Sequence, residues 1–171
     1  WRLSTYDLAV AGVFGALAIV LAFTPLGLIP VPNISGSATS LHLPAIVAGI
    51  LAGPVVGALV GLVLAIASWY LYGATQFIPL AGGNVFVALL AAFLPRILIG
   101  VVAYYAYRPL RRWPVPAGIL AGLAGTLINS VGVLGILIAL GTLPVALLVP
   151  VFSMNVPIEV ALALVVVLPT I

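Results

Sequence analysis

Few side chains in this sequence can do chemistry, and several of them stand inside otherwise apolar stretches. Arg96 lies in "LAAFLPRILIG", Glu159 in "NVPIEVALALVVVLP", and Asn84, Asn129 and Asn155 are spread from the middle of the chain towards its end. A guanidinium offers a planar fork of donors to a carboxylate, a carboxylate only accepts, and a carboxamide does both. His42 adds one imidazole at the end of the polar stretch "PNISGSATSLH". The inventory excludes much. With no cysteine and a single histidine, thiolate chemistry and a zinc or haem site lack ligands. Asp7 and Glu159 are the only carboxylates and are separated by about half a membrane thickness, so no acid–base pair is formed. No catalytic residue, metal or cofactor is expected, and the chemistry left is non-covalent recognition.

The elements that position these residues follow from composition. The chain has 171 residues, 65% hydrophobic and 4% charged, with a mean hydropathy of +1.47, values foreign to soluble domains. Runs of about 18 apolar residues cross a hydrocarbon core of about 30 Å at about 1.5 Å rise per residue. A barrel would show alternating segments of about 10 residues, and none occurs. The expected fold is all-α, one six-helix membrane domain over residues 1–171, with helices near 6–27, 42–53, 54–73, 84–107, 116–140 and 149–171. The Gly53-Pro54 step separates the second and third. The stretches 28–41, "ATQFIPLAGGN" and "GTLPVALLVP" read as connections. The chain opens at Trp1 without an initiator Met and ends in an apolar run, so flanking residues are expected. The first apolar stretch has no small-residue cleavage site and reads as a span, not a signal peptide.

Charge orients the bundle. Arg2 precedes the first helix, and Arg108, Arg111 and Arg112 lie between the fourth and fifth. An even number of crossings separates the two places, so the positive-inside rule puts both, and both termini, in the cytoplasm. Trp69, Tyr70 and Tyr72 at one level and Tyr104, Tyr105, Tyr107 and Trp113 at the other suit the two interfaces. The pI of ≈ 9.7 is then a matter of topology, and no nucleic-acid partner is expected.

Arg96, Asn129 and Glu159 all fall near mid-depth on this reading. A charge there costs at least about 2.5–3.5 kcal/mol on insertion scales and seeks a partner. Arg96 and Glu159 are the one opposite pair at that level and are expected to meet, either as a register-fixing ion pair or as substrate-binding residues that contact a ligand. Asn84, Asn129 and Asn155 read as ligand hydrogen-bonders or interhelical bonds, and His42 as a helix cap or a contact from above. In the first helix Ala11, Gly15, Ala18 and Ala22 form a smooth stripe, with Gly12 and Ala16 alongside. A stripe of this kind admits a close helix neighbour, inside the chain or on a partner. Gly57, Gly61 and Ala65 make a second stripe on the third helix, able to serve internal packing.

Four blocks in order, "LHLPAIVAGILAGPVVGALVGLVLAIASW", "LPRILIGVVAYYAYRPL", "GTLINSVGVL" and "NVPIEVALALVVVLP", make the chain resemble the substrate-binding S components of energy-coupling factor (ECF) vitamin transporters. The resemblance implies capture of a vitamin or precursor from outside, closure by the loop between the first two helices, and docking through the first-helix stripe on a transmembrane T component served by two ATPases. The chain has no lysine and no Walker A pattern, so ATP hydrolysis would belong to those partners. Pro95-Arg96 and the Asn155…Glu159 pattern are most similar to pantothenate-type members. Hydroxymethylpyrimidine, folate, riboflavin and cobalamin stay open, as does a stand-alone secondary transporter, although no internal repeat is evident. Localisation in a prokaryotic plasma membrane follows.

Overall fold

A computed structural model describes residues 3–32 and 37–171; Arg2, counted above in the charge bias, lies outside the described residues. Six main helices organise it: α1 (Thr5–Ala22), α2 (Leu43–Ala52), α3 (Pro54–Tyr72), α4 (Val85–Tyr107), α5 (Pro114–Ala139) and α6 (Val156–Val167). Five segments are long and apolar enough to cross a membrane: Thr5–Ala22, Pro54–Leu80, Val85–Leu110, Pro114–Ala139 and Val145–Thr170. The ten-residue α2 rises only about 15 Å and is short of that length.

Local chemistry explains the boundaries. Ser4 and Asp7 form a reciprocal capping box at the start of α1, which satisfies two orphan donors. The first helix stops at Ala22, not near 27, because Thr24 precedes Pro25 and is extended, with ψ of 156°; proline disfavours helical backbone in the residue before it. Gly53 makes the expected break between α2 and α3 with φ of 92°, a conformation that costs a residue with a Cβ. Both α3 and α5 open on proline, where a missing N–H is harmless.

Two segments depart from the expected all-helical pattern. The 28–41 connection contains a hairpin of two short strands, β1 (Leu28–Pro30) and β2 (Ser37–Thr39), antiparallel with Ile29 opposite Ala38. Its second strand leads through buried Ser40, Leu41 and His42 into α2, so the connection is sunk into the bundle instead of lying over it. The last span is not one regular helix from 149: a π-type turn, Val151–Asn155, precedes α6. A second π-type turn, Gly73–Phe77, extends α3.

Glycines set the packing of the centre. A Cβ on Gly100 of α4 would lie 2.5 Å from the Gly57 Cα of α3 and 2.6 Å from the Ala45 carbonyl oxygen of α2, and one on Gly61 would overlap the Arg96 carbonyl. Backbones of α2, α3 and α4 therefore touch directly, the close approach that small residues permit in membranes. The α1 stripe is also used internally. Ala18 and Ala22 are buried, and a Cβ on Gly15 would meet the Val63 side chain of α3. Ala11 is partly buried on the same side. Those four residues face the bundle, where they pack α1 against its neighbours. Gly12 and Ala16 remain exposed.

Candidate functional site

At the hairpin end of the bundle, helices and hairpin enclose a cavity of about 450 Å³, within the size range of small-molecule sites. The hairpin contributes Ser37 and Thr39, and the end of α3 with its π-type turn contributes Ser68, Gln76 and Phe77. Arg96 comes from α4, Asn129 and Ser130 from α5, and Asn155 and Glu159 from the start of α6, with Val133, Leu134 and Leu143 among the apolar walls.

Arg96 reaches the cavity because helical side chains lean towards their helix N-terminus, which is the hairpin end of α4. Its Nη1 donates to the Ala92 carbonyl at 2.8 Å, and its guanidinium carbon sits 4.9 Å from the Phe77 ring centroid, a cation–π distance. Its Nε is buried and has no hydrogen-bond partner among the described residues. The expected pairing with Glu159 is not made. Glu159 Oε1 instead accepts the Thr39 backbone N–H at 2.9 Å, and Oε2 accepts the Ser130 hydroxyl in a short hydrogen bond. The physical reason is the sunken hairpin, which brings a backbone donor to the carboxylate. Glu159 lies in the first turn of α6, directly after the π-type turn.

The other expected site residues divide. Asn155 donates to the Ser37 carbonyl at 2.8 Å, and Asn129 donates to Thr39 Oγ1 at 3.4 Å; both line the cavity. His42 is fully buried behind the cavity, its Nε2 3.0 Å from Thr126 Oγ1 and its Nδ1 3.5 Å from Thr39 Oγ1. It does not line the cavity, and it caps nothing through its side chain. Asn84 accepts the N–H groups of Phe86 and Val87, so it is the N-cap of α4 and stands outside the cavity. Ser68, Gln76, Ser130 and Thr39 were not singled out from sequence. Ser130 was within reach, as the neighbour of Asn129 in "GTLINS", and Gln76 lies in a polar connection. Ser68, whose buried hydroxyl has no partner among the described residues, carries no such signal.

A half-buried arginine with donors to spare lines this cavity of the membrane bundle, beside neutral polar groups and the Glu159 carboxylate. A family profile described as "ECF transporter, substrate-specific component" matches residues 6–171. The chain belongs to that family. An ECF substrate-specific component is part of a transporter and not an enzyme, and the apolar spans fit a multi-pass protein of the cell membrane. Among curated proteins the chain is similar to "Pantothenic acid transporter PanT" of Lactococcus lactis subsp. cremoris (strain MG1363), 33% identical over 142 residues, covering 75% of this chain and 70% of that protein. No solved structure matches the chain. The family match, residues 6–171, spans nearly all of the helices described for this S component, including every element that lines the cavity.

Proposed function

We propose that this S component captures pantothenate from outside the cell for an ECF importer, in which a T component and two ATPases supply the energy. The observation that carries the reading is the cavity-lining guanidinium of Arg96, with a buried Nε that no group among the described residues satisfies. Pantothenate ends in a carboxylate, which can take those donors in a charge-assisted pair. Its amide and hydroxyls match the neutral side chains of Asn129, Asn155, Ser68 and Gln76, and its geminal methyls match Val133, Leu134 and Leu143. Similarity to a pantothenic acid transporter supports the same substrate. A neutral ligand such as hydroxymethylpyrimidine would leave the arginine uncompensated.

On this reading the chain crosses six times, with both termini and Arg108, Arg111 and Arg112 in the cytoplasm. The short α2 completes its crossing because the sunken residues 37–42 supply the remaining depth. The T component meets α1 on the exposed side that carries Gly12 and Ala16, not on the stripe already held by α3. Calorimetric titration of the purified chain with pantothenate, beside the other vitamins, tests the substrate. Uptake by the chain alone in liposomes would overturn the division of labour.

A further inference from the structure

Three polar side chains of the cavity, from two different helical segments, bond strand β2. Glu159 takes the Thr39 N–H, Asn129 donates to the Thr39 hydroxyl, and Asn155 donates to the Ser37 carbonyl. From behind, His42 faces the same Thr39 hydroxyl and is itself bonded to Thr126 of α5. Glu159 is the hub: one oxygen holds β2 and the other holds Ser130 of α5. The carboxylate is buried at 2% exposure and has no cation within ion-pairing distance among the described residues. A membrane-embedded carboxylate is costly to retain, and here one of its oxygens engages the strand and the other engages α5.

We infer that Glu159 is a positioning residue, a latch that holds β2 against α5 and α6 so that the strand closes one wall of the cavity, while Arg96 meets the ligand. The inference rests on the pantothenate reading only for its kinetic test. A latch slows escape of a trapped ligand and leaves its direct contacts intact. Its loss therefore shows in the dissociation rate, and a neutral acceptor of the same shape restores it. A glutamine retains an oxygen for the Thr39 N–H; an alanine retains nothing.

Two readouts on the full chain in nanodiscs decide the matter. The first needs no ligand. Because the protein has no cysteine, spin labels on Pro30→Cys and Val149→Cys, both exposed positions, report the hairpin against the approach to α6 by electron–electron distance measurement. Glu159→Ala is expected to broaden that distribution, and Glu159→Gln to keep it narrow. An unchanged distribution in Glu159→Ala overturns the latch. The second is stopped-flow release of pantothenate: about tenfold or more faster from Glu159→Ala, the worth of one hydrogen bond to a charged group, and within about threefold of wild type from Glu159→Gln. Equal losses in both variants would place the carboxylate on the ligand and overturn the proposal. Failure of the unmodified chain to bind pantothenate would sink the substrate reading alone, since the label distances judge the latch without it.

Discussion

Arg96→Met separates what the arginine does for the ligand from what it does for the fold. Methionine fills a similar length of apolar stem and can stay on the Phe77 ring, while every donor is lost. Among the described residues the guanidinium makes one hydrogen bond, to Ala92, and one ring contact. Those are worth about 1.5–3 and about 0.5–2 kcal/mol. Against them stand a buried, unsatisfied Nε and the charge itself, which together cost about as much. The melting temperature of the empty protein is therefore expected to stay level or rise. For a bound carboxylate the loss is one-sided: one to two charge-assisted bonds, about 2–4 kcal/mol, or an affinity about 30- to 1,000-fold weaker.

The assay is a thermodynamic cycle measured by titration calorimetry, with two proteins and two ligands. Pantothenol, in which a primary alcohol replaces the carboxylate, is expected to bind wild type far more weakly than pantothenate does. It should bind wild type and Arg96→Met with similar affinity, so that a coupling of about 2 kcal/mol or more falls on the carboxylate–Arg96 pair. Pantothenol binding wild type as tightly as the acid would refute the reasoning. So would Arg96→Met holding pantothenate within about threefold of wild type, because the arginine would then be scaffolding.

Other outcomes follow from single contacts. Because Arg96 and Glu159 share no partner among the described residues, the effects of Arg96→Met and Glu159→Gln on ligand-free stability are expected to add within about 0.5 kcal/mol, as chemical denaturation can check. Gly100→Ala presses a methyl on the backbones of Gly57 and Ala45 and should destabilise by about 1–3 kcal/mol in the same assay. Asn84→Ala removes the α4 cap, with a loss of about 0.5–2 kcal/mol in stability and unchanged pantothenate affinity. A cysteine at Arg111 should escape membrane-impermeant thiol reagents in intact cells; labelling there would reverse the topology.

What the sequence made legible and what it concealed divide along a physical line. Long apolar runs, the Gly53-Pro54 corner and the arginine cluster each carry their signal in side chains, so five spans and the short α2 could be read directly. The hairpin could not, because two three-residue strands are too short for an alternating pattern and sit among Pro, Ser and Gly that also suit a simple loop. That one omission explains the misreading of Arg96 and Glu159. Matching charges by depth considers only side chains as partners, whereas the carboxylate found a backbone N–H, a donor that every non-proline residue carries and no composition reveals. The α1 stripe shows the same limit in another form. Gly12–Ala16 and Gly15–Ala18 lie about 110° apart around a helix with about 100° per residue, and both are smooth. Which of them turns inward is decided by the shape of α3, where Val63 stands opposite Gly15. Once that face is taken, the side left for another helix is fixed, and Gly12→Leu, not Gly15→Leu, becomes the substitution that should block assembly while leaving the isolated chain folded and competent to bind.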